Sequence, residues 1–401
     1  MKKIKARWKG KNIEGIMLQS PYEGIYVIKL SNGYNIGIKK SDLDIIELID
    51  IDEQVKEEKE HEKKMEEKND IAIIGIGGTI ASKVDYNTGA VYPKITAKEL
   101  KDQFELKDVD VYQLFNIFSE DMQPWHWESI AESVYDYMKD YEGIILLHGT
   151  DTMHYTSAAL SFALRLNKPL ILVGAQRSSD RPSSDNKLNL LNAVYASKLD
   201  FGEACICMHA SLNDTLCYLH RGTKVRKMHS SRRDAFKSIN ISHLAEVDYK
   251  SNYAKWLLQP IKHEKLELHN GFNDNVALIY YYPGMKESFL KKLSDYDGIV
   301  IAGAGLGHIS TSLKKVLKEL IDSGIFIYMT TQTIYGRVNM NVYSTGRELQ
   351  EIGVRGNIND MTPETAFVKL SWAMKREKRH EKIDEIMNTN IAGEISERIE
   401  I

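Results

Sequence analysis

The stretch IAIIGIGGTIAS, residues 71–82, decides the fold class of this chain. It opens with an apolar run, which ends in two glycines, and continues with hydroxyl-bearing residues. Similar apolar runs recur further along, at residues 143–148, 169–174 and 201–208. Amphipathic stretches suited to helices lie between them, for example at residues 127–141 and 156–166. Strands that alternate with helices predict βαβ units and therefore a parallel sheet covered on both faces.

The alternation extends towards the C-terminus with one interruption. It stops after Tyr249 and resumes with apolar runs at residues 276–281, 298–302 and 324–330. We therefore expect two α/β domains, a larger one over residues 71–260 and a smaller one over residues 275–401.

Residues 1–70 follow a different pattern. Strand-like runs at residues 13–18, 25–30 and 34–38 predict several short strands, and no helical period appears before Ser41. We expect residues 1–51 to form a small β-barrel. Residues 52–70 are dense in Glu and Lys, which predicts a charged, solvated linker, either helical or flexible; a binding role for this segment is the alternative.

Composition excludes several classes of protein. The 401 residues carry 53 Lys and Arg against 56 Asp and Glu, so the chain as a whole is no polyanion binder. No run reaches the roughly 18 apolar residues of a membrane span, and the N-terminus lacks the apolar core of a signal peptide. The odd count of three cysteines indicates reduced thiols, and Cys205 and Cys207 alternate as buried strand residues do. We expect a cytoplasmic protein with no membrane contact and no bound metal.

Two of the turns that follow apolar runs could carry chemistry, because ligands of open α/β sheets bind beyond the carboxyl ends of the strands. The first turn is GGTIAS, residues 77–82. A dinucleotide-binding fingerprint is the rival interpretation, but its last glycine would fall at Ile80, which is too large for close packing of helix on strand. The second turn is GTDT, residues 149–152; here the rival is a helix N-cap formed by Thr150 or Asp151.

A third feature is the basic run at residues 221–233, which holds six Lys and Arg residues. It is either a solvated surface loop or a patch for an anion or RNA. With the two turns it supplies a hydroxyl nucleophile, a Thr–Asp pair and a lysine. A neutral lysine amine can activate a hydroxyl for attack on a carbonyl carbon.

The motif GGTIA at residues 77–81, followed by HGTDTM at residues 148–153, resembles the two signature motifs of the asparaginase/glutaminase family. The likeness runs from Ile71 to about Lys375. It implies an α/β fold in which a small N-terminal β-barrel precedes a two-domain, asparaginase-like, doubly wound α/β unit. The active site would lie at the carboxyl ends of the first domain's sheet.

Three further segments narrow the resemblance. Residues 177–185, 221–236 and 335–347 are similar to the D subunits of archaeal glutamyl-tRNA(Gln) amidotransferases. The β-rich extension before Ile71 also fits those subunits, whereas simple asparaginases start near the first motif.

The resemblance implies a set of site residues. Those matching the family's catalytic positions are Thr79 as nucleophile, Thr150, Asp151 and Lys227. Those implied to bind substrate are Tyr86 on a mobile loop, Ser119 at the substrate α-carboxylate, and the adjacent Glu120.

The function implied is glutamine hydrolysis through an acyl-enzyme, which supplies ammonia to convert Glu-tRNA(Gln) to Gln-tRNA(Gln). This chain would bind no cofactor. Its partner, the amidotransferase E subunit, would bind the tRNA and use ATP and Mg²⁺, and two copies of this chain would pair within a heterotetramer.

Two positions depart from the wider family. Ile76 stands where the family usually has a Thr, which puts a hydrogen bond near the site in doubt. Leu306 stands where many free asparaginases carry an Asn, which supports the amidotransferase assignment. The alternatives are a free-standing cytosolic L-asparaginase and a non-catalytic scaffold protein, the latter opposed by the four intact catalytic positions.

Overall fold

The computed structural model describes residues 2–18, 20, 24–30, 35–50, 69–77, 82–84, 91–93, 97–106, 108–177 and 183–399. Among the residues singled out above, Thr79, Tyr86 and nearly all of the linker over 52–70 lie outside the described residues.

The N-terminal unit is a five-stranded antiparallel sheet. Its strands are β1 (Lys2–Trp8), β2 (Lys11–Leu18), β3 (Ile25–Leu30), β4 (Asn35–Lys39) and β5 (Leu43–Asp50), in the order β4-β3-β2-β1-β5. Ile38 of β4 and Leu43 of β5 pack in one small core with Ile4, Ala6 and Ile28. Because both edge strands contribute to that core, the sheet must curl, and the predicted small β unit is confirmed.

The larger α/β unit contains an eight-stranded sheet. Its elements are β6 (Ile71–Gly77), β7 (Ser82–Val84), β8 (Val91–Pro93), α1 (Ala97–Gln103), β9 (Val109–Ile117), α2 (Pro124–Met138), β10 (Gly143–Leu147), α3 (Met153–Ala163), β11 (Leu164–Arg165), β12 (Leu170–Val173), α4 (Asn186–Ala196), β13 (Ala204–His209), β14 (Cys217–Arg221), β15 (Val225–Lys227), β16 (Phe236–Ser238), β17 (Ala245–Asp248), β18 (Tyr253–Trp256) and β19 (Glu267–Leu268). The sheet order is β18-β17-β14-β13-β12-β10-β6-β9. Within this sheet β13, β12, β10, β6 and β9 run parallel, whereas β14, β17 and β18 pair antiparallel, so the sheet is mixed rather than parallel throughout.

Helices cover both faces of this sheet. Every residue of β6, β10 and β12 is buried, as expected for strands covered on both sides. Side chains of α2 and α3 pack on one face with Ile144 and Leu146. Side chains of α4 pack on the other with Ile145 and Leu147. The doubly wound α/β class is confirmed.

The smaller α/β unit has a three-stranded parallel sheet in the order β20-β21-β22. Its elements are β20 (Val276–Tyr280), α5 (Glu287–Lys291), β21 (Gly298–Gly303), α6 (Lys314–Asp322), β22 (Phe326–Thr331), α7 (Ser344–Glu351), α8 (Pro363–Arg376) and α9 (His380–Asn388). Helix α8 contacts both β21 and α3, and the Trp372 ring lies 5.9 Å from that of Phe162. One apolar core therefore joins the two units, while the domain boundaries stay predictions.

Gly77 closes β6 in a conformation that only glycine adopts without strain. Its φ is +112°, and a Cβ there would lie 2.3 Å from the carbonyl oxygen of Ile117 on β9. We expect Gly77→Ala to lose about 2–5 kcal/mol of unfolding free energy, from backbone strain and overpacking together. The matched control is Gly284→Ala, because Gly284 has φ +86° in open space. Chemical denaturation measures both, and equal losses would contradict the packing argument.

Candidate active site

The carboxyl end of β6 lies between two loops that carry predicted site residues. In the parallel sheet, β6 pairs on one side with β10 and on the other with β9. Ser119 follows the end of β9, and Thr150 follows the end of β10. Thr79, two residues beyond Gly77, lies outside the described residues. Parallel strands deliver their following loops to one edge, so the loops after β9 and β10 flank the strand that leads to Thr79.

Lys227 joins the two residues of the GTDT turn. Its Nζ donates to Thr150 Oγ1 at 2.9 Å and to Asp151 Oδ1 at 2.7 Å. The Lys227 side chain is 9% exposed and that of Asp151 is 66% exposed. A hydroxyl, an amine and a carboxylate thus form a connected proton path with its carboxylate end open to solvent.

The capping interpretation of the GTDT turn is wrong. Helix α3 starts at Met153, its N-cap is Thr152, and that cap makes no side-chain capping hydrogen bond. Thr150 and Asp151 accept from Lys227 instead.

Buried hydrogen bonds hold the backbone that carries Thr150. His148 Nδ1 lies 2.7 Å from the carbonyl oxygen of Gly149, and its Nε2 lies 2.8 Å from Thr156 Oγ1. Burial lowers the pKa of His148 to about 4, so the ring is neutral at pH 7. Nδ1 must donate to the carbonyl, and Nε2 then accepts from the Thr156 hydroxyl. Trp127 Nε1 donates to the same hydroxyl at 3.2 Å, which fixes its orientation.

Three buried histidines predict loss of stability in mild acid. Burial lowers the pKa of His148 and of His154 to about 4 and that of His220 to about 3. Below an unfolded-state pKa of about 6.5, the unfolded chain takes up protons that the folded chain does not, so stability falls with pH until the folded pKa is reached. Each histidine costs up to about 1.4 kcal/mol per pH unit in that window.

Denaturation at pH 7.5 and pH 5 measures the effect. We expect a lower unfolding free energy at pH 5, and a smaller loss in a His220→Asn variant. An unfolding free energy that is unchanged or higher at pH 5 would contradict the assignment of these rings as neutral.

Ser119 and Glu120 lie on the turn after β9. Thr152 Oγ1 donates to the carbonyl oxygen of Ser119 at 2.6 Å, which ties this turn to the GTDT turn. Ser119 is buried, and its hydroxyl lies 3.4 Å from Glu120 Oε2 on an exposed side chain. The structure therefore brings Ser119 next to the turn that bears Thr150. The substrate-binding roles of both residues, and of Tyr86 outside the described residues, stay predictions.

The basic run at residues 221–233 is a set of ion pairs. Each of its six Lys and Arg side chains meets a carboxylate: Arg221 with Glu203 (2.8 Å), Lys224 with Asp360 (2.6 Å), Arg226 with Glu364 (2.9 Å), Lys227 with Asp151 (2.7 Å), Arg232 with Asp234 (2.8 Å) and Arg233 with Asp214 (2.6 Å). Residues 221–227 are therefore not the solvated loop that the sequence suggested, whereas residues 228–232 are exposed. The anion or RNA patch stays a prediction. Two of the pairs, with Asp360 and Glu364, reach the smaller α/β unit, and sequence reasoning missed these partners because they lie more than a hundred residues away.

The described residues contain no group of three His, Cys, Asp or Glu side chains placed to hold a metal ion. Within the same ranges, no helix is long and apolar enough to cross a membrane. All three cysteines are free and buried, and burial raises the pKa of the Cys205 thiol, which keeps it protonated.

Family models match three consecutive parts of the chain. The model described as Asparaginase, N-terminal, matches residues 70–261, and that of the Glutaminase/Asparaginase C-terminal domain matches residues 275–387. Residues 1–49 match the GatD N-terminal domain.

Curated relatives cover nearly the whole chain. The D subunit of glutamyl-tRNA(Gln) amidotransferase from Saccharolobus solfataricus is 47% identical, over 96% of this chain and 90% of its own length. The D subunit from Methanobrevibacter smithii is 45% identical, over 97% and 92%. Among solved structures, the thermostable L-asparaginase from Thermococcus kodakarensis has a TM-score of 0.75 at 31% identity, covering 81% of this chain and 99% of its own. The match of residues 1–49 to the GatD N-terminal domain lies outside the two asparaginase domains, so it separates this chain from proteins that consist of those two domains alone.

Proposed function

The chain belongs to the family of glutamyl-tRNA(Gln) amidotransferase D subunits, within the asparaginase/glutaminase family, and we propose that it hydrolyses glutamine with Thr79 as nucleophile. It is the glutaminase component of a tRNA-dependent amidotransferase. The observation that carries the chemistry is the contact of Lys227 with Thr150 and Asp151 at the sheet edge where β6 ends. Two residues of chain, which span at most about 7 Å, separate Gly77 of β6 from Thr79.

The reaction proceeds through an ester on Thr79. The Thr79 hydroxyl oxygen attacks the carboxamide carbon of glutamine, and its proton passes to the Lys227 amine, directly or through Thr150 Oγ1. Backbone N–H groups near the glycine turn stabilise the oxyanion. The intermediate collapses as the amide nitrogen takes up a proton, so ammonia leaves and an acyl ester remains. Water then attacks this ester and releases glutamate.

The substrate's α-carbon groups are held by the flanking loops. Asp151 offers a carboxylate that is two-thirds exposed, which suits the α-ammonium group. Ser119, on the turn tied to Thr152, binds the α-carboxylate, and Tyr86 is assigned to substrate binding from its place in the family pattern. Glu120, exposed on the same turn, lies at the entrance.

The chain works in a multi-subunit amidotransferase. The E subunit binds the tRNA and uses ATP and Mg²⁺, whereas this chain uses no cofactor of its own, and two copies pair within a heterotetramer. The ion pairing of the basic run supports this division of labour, because its cations are already neutralised and have little to offer to phosphates.

A free-standing L-asparaginase is the competing function, favoured by the structural neighbours of that name. Glutamate release by this chain alone, with its co-purified partner, and then with misacylated tRNA and ATP, separates the two. We expect a roughly tenfold rise on full assembly, which needs only about 1.4 kcal/mol of coupling. Full activity alone, with no response to either addition and good turnover of asparagine, would establish the asparaginase instead.

A further inference from the structure

The short strand β15 presents neighbouring cations to two different parts of the molecule. Lys227 points to Thr150 and Asp151, whereas Arg226 points to Glu364 on α8 of the smaller α/β unit. The catalytic lysine is therefore adjacent, along the backbone, to a contact that the other unit controls.

The contact with Glu364 is buried and converges on one oxygen. Arg226 Nε donates to Glu364 Oε1 at 2.9 Å, and the Tyr280 hydroxyl donates to the same oxygen at 3.2 Å. Glu364 is 3% exposed. Burial, followed by the Glu364 carboxylate, raises the pKa of Tyr280 to about 12, so this tyrosine stays a donor. Charge-assisted bonds of this kind fix side-chain geometry more firmly than exposed pairs do.

A second buried pair anchors the chain just before β15. Lys224 Nζ donates to Asp360 Oδ2 at 2.6 Å, and neither side chain is exposed. Asp360 and Glu364 flank the start of α8. The smaller unit thus holds the segment that carries Lys227 through two ion pairs, one at Lys224 and one at Arg226.

The charges around Lys227 share one environment. Asp151 on the loop after β10, His154 on α3, Arg226 and His229 on the hairpin, and Glu364 on α8 line a cavity of about 380 Å³ together with Lys227. Burial lowers the pKa of His154; Glu364 acts against this effect, and Arg226 and Lys227 add to it. Any change of charge at Arg226 or Glu364 therefore reaches the groups beside the lysine.

We propose that Glu364 is a positioning residue for the reaction: through Arg226 it holds Lys227 against Thr150 and neutralises the cation next to it. The proposal rests on the proposed function, since it assumes that Lys227 moves the proton of the nucleophile. The proposal thereby gives the smaller α/β unit a direct part in positioning Lys227.

Opposite shifts of the pH profile are the signature of this role. Glu364→Gln leaves the Arg226 cation without a counter-charge, which favours the neutral form of the neighbouring lysine. The acid limb of kcat should then move to lower pH. Arg226→Gln leaves the carboxylate unpaired and should move the same limb to higher pH, and the double variant should return it towards the wild-type position. Coulomb's law for unit charges about 8 Å apart in water gives a shift of about 0.4 pH unit.

The experiment measures kcat and KM for glutamine across pH in the assembled enzyme. We expect each single variant to lower kcat several-fold with little change in KM, and Glu364→Asp to keep the wild-type profile because it keeps the charge. Glu348→Gln is the matched control, since it removes a carboxylate that pairs with Lys314 at 2.6 Å elsewhere on the smaller unit. It should alter neither kcat nor the profile.

Shifts in the same direction, or no shift despite folded variants, would overturn the proposal while leaving glutamine hydrolysis intact. A wild-type complex that releases no glutamate would instead overturn the proposed function. If Glu364→Gln does not fold, Arg226→Lys and Glu364→Asp decide the question. Both variants keep the charge but change the length or shape of the side chain. We expect kcat to fall, because the ion pair loses its geometry, while the pH profile stays in place. Unchanged kcat in both variants would refute the proposal.

Discussion

Thr79→Ala is expected to reduce glutamine hydrolysis by roughly a thousandfold or more. The substitution removes the hydroxyl that forms the ester, and loss of a nucleophile leaves only the catalysis due to binding and the oxyanion donors. The change removes one hydroxyl and one methyl group, so the fold should survive. Glutamate release, measured beside thermal melting of the same preparation, tests both statements.

Two companion variants sharpen this test. Thr79→Ser keeps a hydroxyl and should retain part of the activity. Thr311→Ala removes an exposed threonine of the smaller α/β unit and should leave both turnover and melting unchanged. If folded Thr79→Ala keeps near wild-type turnover, another group is the nucleophile.

The buried parallel strands were predictable because their signal is local. Strands β6 and β10 are continuous apolar runs. The parallel pairing of β6 with β10 and with β9 brings Thr150 and Ser119 to one edge of the sheet. Strand β1 was missed because charged residues alternate with apolar ones along it, as in KKIKARW at residues 2–8. Strand β5, LDIIELID, was missed because its apolar residues come in adjacent pairs rather than in alternation. Half-buried strands with a charged face resemble polar loops when read alone.

The basic run shows where sequence reasoning stops. Six cations in one segment predict a basic patch as long as the carboxylates that pair with them are unknown. The carboxylates that pair with Lys224 and Arg226 lie 136 and 138 residues further along the chain. Long-range ion pairs leave no periodic or spacing signal in a single sequence.

Ile76, the departure from the family pattern, belongs to the apolar core. It is 2% exposed and packs in the cluster that contains Trp127 and Ile74. An apolar side chain suits that position, since a hydroxyl there would need a hydrogen-bond partner. The substitution is therefore accommodated by the fold and does not indicate a decayed, non-catalytic protein.

Lys227→Arg is expected to be nearly as inactive as Lys227→Ala, with a loss of about 10²–10⁴-fold in kcat. An arginine keeps the positive charge beside Asp151 but cannot lose a proton near neutral pH, so it cannot take one from a hydroxyl. Its larger planar head also does not reproduce the single Nζ that reaches both Thr150 and Asp151. Lys237→Arg is the matched control, because Lys237 lies on the paired strand β16 and forms its ion pair with Asp234, away from the GTDT turn. That variant should keep the wild-type rate. Should Lys227→Arg retain most of the rate as well, Lys227 acts by its charge alone, and the proton of Thr79 must pass to another group.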